Sequence, residues 1–201
     1  MVESLSHPGR NVSGVSTLSA SLEPKRIGLM HDLLPRSTAF GALVNPGTPT
    51  FAGQLDDIRS AARVIGVDIK PLDAASDREI ETAFAAVAQQ NIGALLVSTD
   101  PFLLLRRTGI VALAEKARVP VMYPYRDFAD AGGLMSYGVD LADVYRQLAN
   151  YASRIVKGAR PEDLPVAVPT KFEFVVNLKA AKSLALAIPP ELLAIADEVI
   201  E

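Results

Sequence analysis

Cysteine and tryptophan are both absent from this chain of 201 residues. Without cysteine there is no disulfide, no thiolate nucleophile and no thiolate metal site, and either a cytoplasmic or a periplasmic setting remains open. An excess of one charge is missing too: 20 Lys and Arg stand against 23 Asp and Glu, a formal net charge of −3. That balance carries no footprint for nucleic acid or an anionic membrane, and neither is expected as a partner. No apolar run reaches the roughly 18 residues that suggest a membrane span, and Met1-Val2-Glu3-Ser4 lacks the basic and apolar regions of a signal peptide. The two histidines, His7 and His31, fall in no metal spacing and no nucleophile motif, so neither a metal site nor a catalytic base is expected. No Gly-x-x-x-x-Gly-Lys loop occurs, and no Gly-x-Gly-x-x-Gly follows a strand, so no cofactor is expected.

What is present is a chain with 49% hydrophobic residues, enough to bury a real core. The first twenty residues, with His7-Pro8-Gly9-Arg10-Asn11 and scattered serines, read as a connection rather than the start of a domain. Ile27, Met30 and Leu34 then share one face of a helix over 22–34 that Pro35 ends. Phe40 to Val44 reads as a strand, and Asn45-Pro46-Gly47 as a turn into a helix capped at Thr48 and striped by Leu55, Ile58, Ala62 and Ile65. A strand over 67–72 leads to a capping box at Ser76 and Glu79 and a helix facing inward at Ile80, Phe84 and Val87. Strand 94–97, helix 102–117 and strand 119–123 complete the alternation. The expected fold is a doubly wound parallel α/β sheet covered on both faces, spanning 15–134. Beyond it come a strand-like piece at 134–137, a helix over 142–157 with Val144, Leu148, Tyr151 and Ile155 on one side, and a stop at Gly158. A strand at 172–176, a short helix at 180–187 and a last helix at 191–200 close the chain.

Ligands of doubly wound sheets sit beyond the carboxyl ends of the strands, which selects the loops 45–48, 73–76, 98–102 and 123–127. Asn45 lies in the first of these. Ser98, Thr99 and Asp100 offer two hydroxyls and a carboxylate before a helix start, which suits either a small polar ligand or the helix's own free amides. Tyr123 and Tyr125 supply aromatic faces, and Arg126 suits a two-pronged grip on a carboxylate; the alternative is packed tyrosines and a solvated arginine. Ser136 and Tyr137 lie where the chain leaves the lobe, to line a cleft or to pack at a hinge. Gly132, Gly133 and Gly138 suit a chain that bends or crosses there. Arg106 and Arg107 read as solvated surface.

Several segments carry a resemblance over nearly the whole chain. They are Ser4-Leu5-Ser6-His7-Pro8-Gly9-Arg10-Asn11-Val12-Ser13-Gly14, Asp100-Pro101-Phe102, Ala131-Gly132-Gly133-Leu134-Met135-Ser136-Tyr137-Gly138 and Leu164-Pro165-Val166. The run from Pro169 to Lys179 and Ile188-Pro189-Pro190 complete them. Together they resemble the bacterial ABC transporter substrate-binding proteins related to tryptophan- and other amino-acid-binding members, with the type I periplasmic-binding-protein fold. One departure is Arg10, where the family pattern has a second glycine.

The resemblance implies two α/β lobes joined by crossing strands, a small-molecule ligand held between them, delivery to an ABC permease, a periplasmic location and no catalysis. It also implies that this chain lacks the N-terminal lobe: 1–14 is an interlobe connection, 15–134 the C-terminal lobe, and 135–201 the crossing strand, helices and tail. The helix over 142–157 would then leave its apolar stripe uncovered, so a homo-oligomer through the C-terminal elements and weak ligand binding are expected. Two other readings share the fold: the effector-binding domain of a regulator, and a small flavodoxin-like enzyme.

Overall fold

The computed structural model describes residues 3–17 and 22–201. The chain divides into two compact units, one of residues 19–138 and 173–201 and the other of residues 1–18 and 139–172. The expected grouping of all residues beyond 134 is therefore redistributed, because the last strands pair into the large sheet.

The larger unit begins with helix α1 (Glu23–Leu33) and alternates through β1 (Ala39–Val44), α2 (Phe51–Val64), β2 (Asp68–Asp73), α3 (Asp77–Gln89) and β3 (Ala94–Val97). It continues with α4 (Pro101–Leu105), α5 (Arg107–Ala117), β4 (Val121–Tyr123), α6 (Arg126–Asp130) and β5 (Met135–Val139), which carries the chain out of the unit. After helix α7 (Leu141–Val156) in the smaller unit, the chain returns through β6 (Phe172–Asn177), α8 (Leu178–Ser183), α9 (Pro190–Ala194) and β7 (Glu198–Ile200). The seven strands lie in the order β2-β1-β3-β4-β5-β6-β7. β1 pairs in parallel with β2 and β3, β3 with β4, β4 with β5, and β6 with β7.

Burial explains the assignment of faces. Phe40, Ala42 and Val44 of β1 and Ala94 and Leu96 of β3 share one core with Ile27 and Met30 of α1 and Leu55, Ile58 and Ala62 of α2. Phe174, Val176, Ala181 and Leu192 belong to that same core, so the C-terminal elements are integral to this unit. Complete burial of a side chain such as Phe40 is worth about 1.5–3 kcal/mol. α3 turns Ile80, Ala83, Phe84 and Val87 inward, and Ser76 caps it by accepting from the Glu79 amide.

Several boundaries differ from the sequence-based expectation. α2 starts at Phe51, and the Thr48 hydroxyl donates to the Asn45 carbonyl instead of capping a helix. The helix expected over 102–117 breaks at Arg106 into α4 and α5, with α4 starting at Pro101 under the Asp100 cap. α6 begins within the loop expected at 123–127, where the sequence reading places no helix. The helix expected at 180–187 begins at Leu178, because the Asn177 side chain accepts from the Ala180 amide. The last helix expected over 191–200 ends at Ala194, and residues 198–200 form a strand. Asp197 is the reason: its amide donates to the Phe174 carbonyl and its carboxylate accepts from the Phe174 amide, which clips the chain into register beside β6.

In the smaller unit, the N-terminal segment and the connection after α7 hold one another by backbone bonds. Val166 donates to Leu5, Ala167 to Gly14 and Ser16 to Ala167, and the Ser13 hydroxyl reaches the Leu164 carbonyl at 2.6 Å. Asp140 caps α7 through the Asp143 amide, and Gly158, at φ 100°, ends it.

Candidate functional site: the carboxyl edge of the sheet

The order β2-β1-β3-β4-β5 reverses direction between β1 and β3, and such a switch point opens a crevice beyond the strand ends. Asn45 follows β1 and Ser98, Thr99 and Asp100 follow β3. The Asn45 amide nitrogen donates to Asp100 Oδ2 at 3.3 Å, so the two loops touch across the switch. Asp100 Oδ1 meanwhile accepts from the Leu103 amide at 2.9 Å. Capping and cleft placement are thus combined in one carboxylate.

Thr99 is held from two helices. Its carbonyl accepts from Gln54 Nε2 of α2 at 2.9 Å, and its hydroxyl oxygen accepts from Arg26 Nη1 of α1 at 3.0 Å. The buried Arg26 also donates to Glu23 Oε1 at 2.9 Å, through Nε to the Tyr137 carbonyl at 2.7 Å, and to the Pro124 carbonyl at 3.4 Å. One guanidinium therefore ties the residues just beyond β3 and β4 to the middle of β5. Both members of the Glu23–Arg26 pair are 0% exposed. Burial pushes the Glu23 carboxyl above its ordinary range, with the Arg26 charge and hydrogen bond opposing it.

These three residues, Glu23, Arg26 and Gln54, were not among the sequence-derived candidates. The available signal was weak: an acid and a base three apart in a first helical turn, usually a solvated pair. Their burial comes from strands distant in sequence.

The remaining candidates divide into two groups. Ser98 and Ser136 are wholly buried, and their hydroxyl oxygens have no hydrogen-bond partner. Tyr125 is buried at the start of α6, and Tyr137 is half-buried, its ring edge-on to Phe174 at 6.5 Å. Tyr123, by contrast, lies inside the fold: it is 1% exposed and stacks on Phe128 at 4.7 Å. Burial alone pushes its phenol upward. Arg126 already holds carboxylates of its own chain, Glu198 at 2.7 Å, Asp130 at 3.2 Å and Glu173 at 3.7 Å. The Glu198 hydrogen bond leads in holding the guanidinium above its ordinary value. Tyr123 is thus packed within the fold, and Arg126 is engaged by carboxylates of its own chain.

The glycines serve close approach more than bending. Gly132, at φ 104°, and Gly133 terminate α6, and a Cβ on Gly133 would lie 2.7 Å from the Phe128 carbonyl oxygen. A Cβ on Gly138 would collide with the Pro124 carbonyl oxygen. Of the three, Gly138 alone stands at the boundary between the units. Among the described residues, no three His, Asp or Glu side chains gather as metal ligands would, and no helix is long and apolar enough to cross a membrane.

A doubly wound domain with polar groups gathered at its switch point belongs to the ligand-binding α/β class. The sequence pattern of the ABC transporter substrate binding protein family matches residues 1–200, and the chain belongs to that family. It is similar to a conserved domain protein from Vibrio cholerae O1 biovar El Tor, at 26% identity and a TM-score of 0.88, over 98% of this chain and 66% of that one. It is also similar to an ABC domain from Streptococcus pneumoniae solved in complex with L-Trp, at 26% identity and a TM-score of 0.85, over 99% of this chain and 68% of that one. The ligand-free, open structure of CD0873, a substrate binding protein with adhesive properties from Clostridium difficile, shares the fold at 21% identity and a TM-score of 0.70. The chain spans about two thirds of the length of each of these structures, covering 66% of CD0873. No curated protein matches the chain.

Proposed function

We propose that this protein is the solute-binding component of an ABC uptake transporter and takes a small molecule, an amino acid or an aromatic or carboxylate compound, at the carboxyl edge of its sheet. The observation that carries this reading is the family match over residues 1–200. The L-Trp complex of the S. pneumoniae relative supports the ligand class. Asn45, Thr99 and Asp100 supply polar contacts, the Ser98 and Ser136 hydroxyls supply unused hydrogen-bonding capacity, and Tyr125 and Tyr137 supply aromatic walls. Tyr123 backs the wall by packing, and Arg126 works at the rim, where a ligand carboxylate competes with Glu198 for its guanidinium. A second lobe closes the other side of the ligand, in keeping with relatives that extend well beyond the matched region. Gly138, at the unit boundary, serves the hinge. A permease receives the solute at the periplasmic or outer face of a membrane, and the protein performs no chemistry on it.

Calorimetry and thermal shift against the common amino acids and aromatic carboxylates test this. Residues 1–201 by themselves are expected to bind weakly, with a Kd above about 1 µM, because the relatives extend well beyond the matched region. Supplying a second lobe from a relative tightens binding, and Asn45→Ala loosens it. Sub-micromolar binding by the chain alone removes the second lobe from the reading. Failure of every compound with both lobes present removes the ligand class.

A further inference from the structure

The start of β4, the turn into β5 and helices α5 and α8 enclose a half-open pocket of about 260 Å³. All of its walls belong to the larger unit. It lies at the amino edge of the sheet, opposite the loops described above. Val119 precedes β4, Leu134 precedes β5, and the Asn177 amide at the end of β6 donates to the Leu134 carbonyl at 2.9 Å. The Arg118 guanidinium donates to the Ser183 carbonyl at 3.3 Å, which fastens the turn before β4 to the end of α8.

Tyr123 forms the floor of this pocket. Alternation along β4 sends Val121 and Tyr123 to one face of the sheet and Met122 to the other, where it joins the main core. The Tyr123 ring lies back over Gly133, where a Cβ would stand 2.5 Å from it, so that glycine makes room for the ring. Tyr123 is 1% exposed, yet its hydroxyl has no hydrogen-bond partner among the described residues. Unlike the Ser98 and Ser136 oxygens, which are sealed within the fold, it reaches the pocket. Asn177, the other buried polar side chain of the wall, is engaged: it donates to the Ala129 carbonyl at 3.3 Å and accepts from the Ala180 amide at 3.1 Å. A buried phenol without a partner forfeits hydrogen bonding that a ligand can restore.

We propose that this pocket is a second small-molecule site, separate from the carboxyl edge, for a neutral and mainly apolar molecule whose one polar group hydrogen-bonds the Tyr123 hydroxyl. The size fits. An apolar cavity of about 150 Å³ takes benzene, so this pocket has room for a substituted ring. Neutrality follows from the walls: Val111, Ala114, Val121 and Leu134 offer no counter-charge to an ion. The exposed Glu115 and Lys179 at the mouth are of opposite sign.

The probe is p-cresol, a ring of suitable size with one hydroxyl. Titrated into the ¹⁵N-labelled chain, it moves the amide resonances of Gly132, Gly133 and Leu134 with a Kd below about 1 mM, and leaves those of Asn45 and Asp100 in place. Tyr123→Phe keeps the ring and weakens p-cresol about threefold to tenfold, the worth of one hydrogen bond. Toluene, which lacks the hydroxyl, binds both proteins alike. Ala180→Leu narrows the pocket and weakens both compounds. If p-cresol at about 5 mM, well above that Kd, moves no amide around the pocket, or moves those of the carboxyl edge instead, the proposal is overturned. Equal p-cresol affinity before and after Tyr123→Phe overturns it too, because the phenol is then not the group that recognises the ligand.

Discussion

Arg26 decides more of the carboxyl edge than any other side chain. Its guanidinium has four acceptors, Glu23, Thr99 and the carbonyls of Pro124 and Tyr137, and the planar fork of an arginine is needed to reach them together. Arg26→Met leaves Glu23 buried without its cation and is expected to cost about 3–5 kcal/mol in urea denaturation. Arg26→Lys restores little of it, because one ammonium cannot span that arc. Glu23 adds a pH dependence. Its folded value is raised, so the stabilisation it contributes is full below the ordinary glutamate value of 4.5 and declines as pH rises through the folded value. Glu23→Gln should flatten that portion of the stability profile, and an unchanged profile would show that Glu23 titrates normally. Neither residue was legible as a site residue beforehand. A charge pair at helical spacing looks the same in sequence whether water or folded strands surround it.

Elements with strong periodicity were readable, and those defined by pairing were not. α3 announced itself through the Ser76 cap and the spacing of Ile80, Phe84 and Val87, all of which are local signals. β1 and β3 were equally plain as short apolar runs whose residues are almost all buried. β7 was taken for the end of a helix, since Glu-Leu-Leu-Ala favours one and nothing nearby in sequence opposes it. The opposing groups are the Phe174 amide and carbonyl, more than twenty positions away, which bind Asp197. Asp197→Ala removes the side-chain half of that clip. Amide exchange at residues 198–200 should then accelerate while β1 and β3 stay protected, and unchanged protection would mean that the backbone pairing suffices.

At the scale of the whole molecule, the two units differ in how much core each holds. Val139, Val144 and Leu164 are the buried hydrophobic residues of the smaller unit among the described residues, whereas the larger unit holds all the others. Local opening follows buried apolar contact. In native-state hydrogen exchange the α7 amides should therefore exchange well before those of β1 and β3. Equal protection in both units would show that the smaller unit is stabilised by contacts beyond its own core.

The sequence by itself determined the alternating α/β elements, the parallel sheet and the loops that form its carboxyl edge, because 3.6-residue and two-residue apolar periods act over a few neighbours. It also placed the chain in its family, through motifs spread over residues 1–200. Only the tertiary structure decided which polar groups meet at that edge. Arg26 rather than Arg126 became the buried anchor, Tyr123 became packing, and Asp100 came to face Asn45. The reason is distance along the chain: these contacts join residues tens of positions apart, and which of them lose water depends on how the strands are ordered in the sheet.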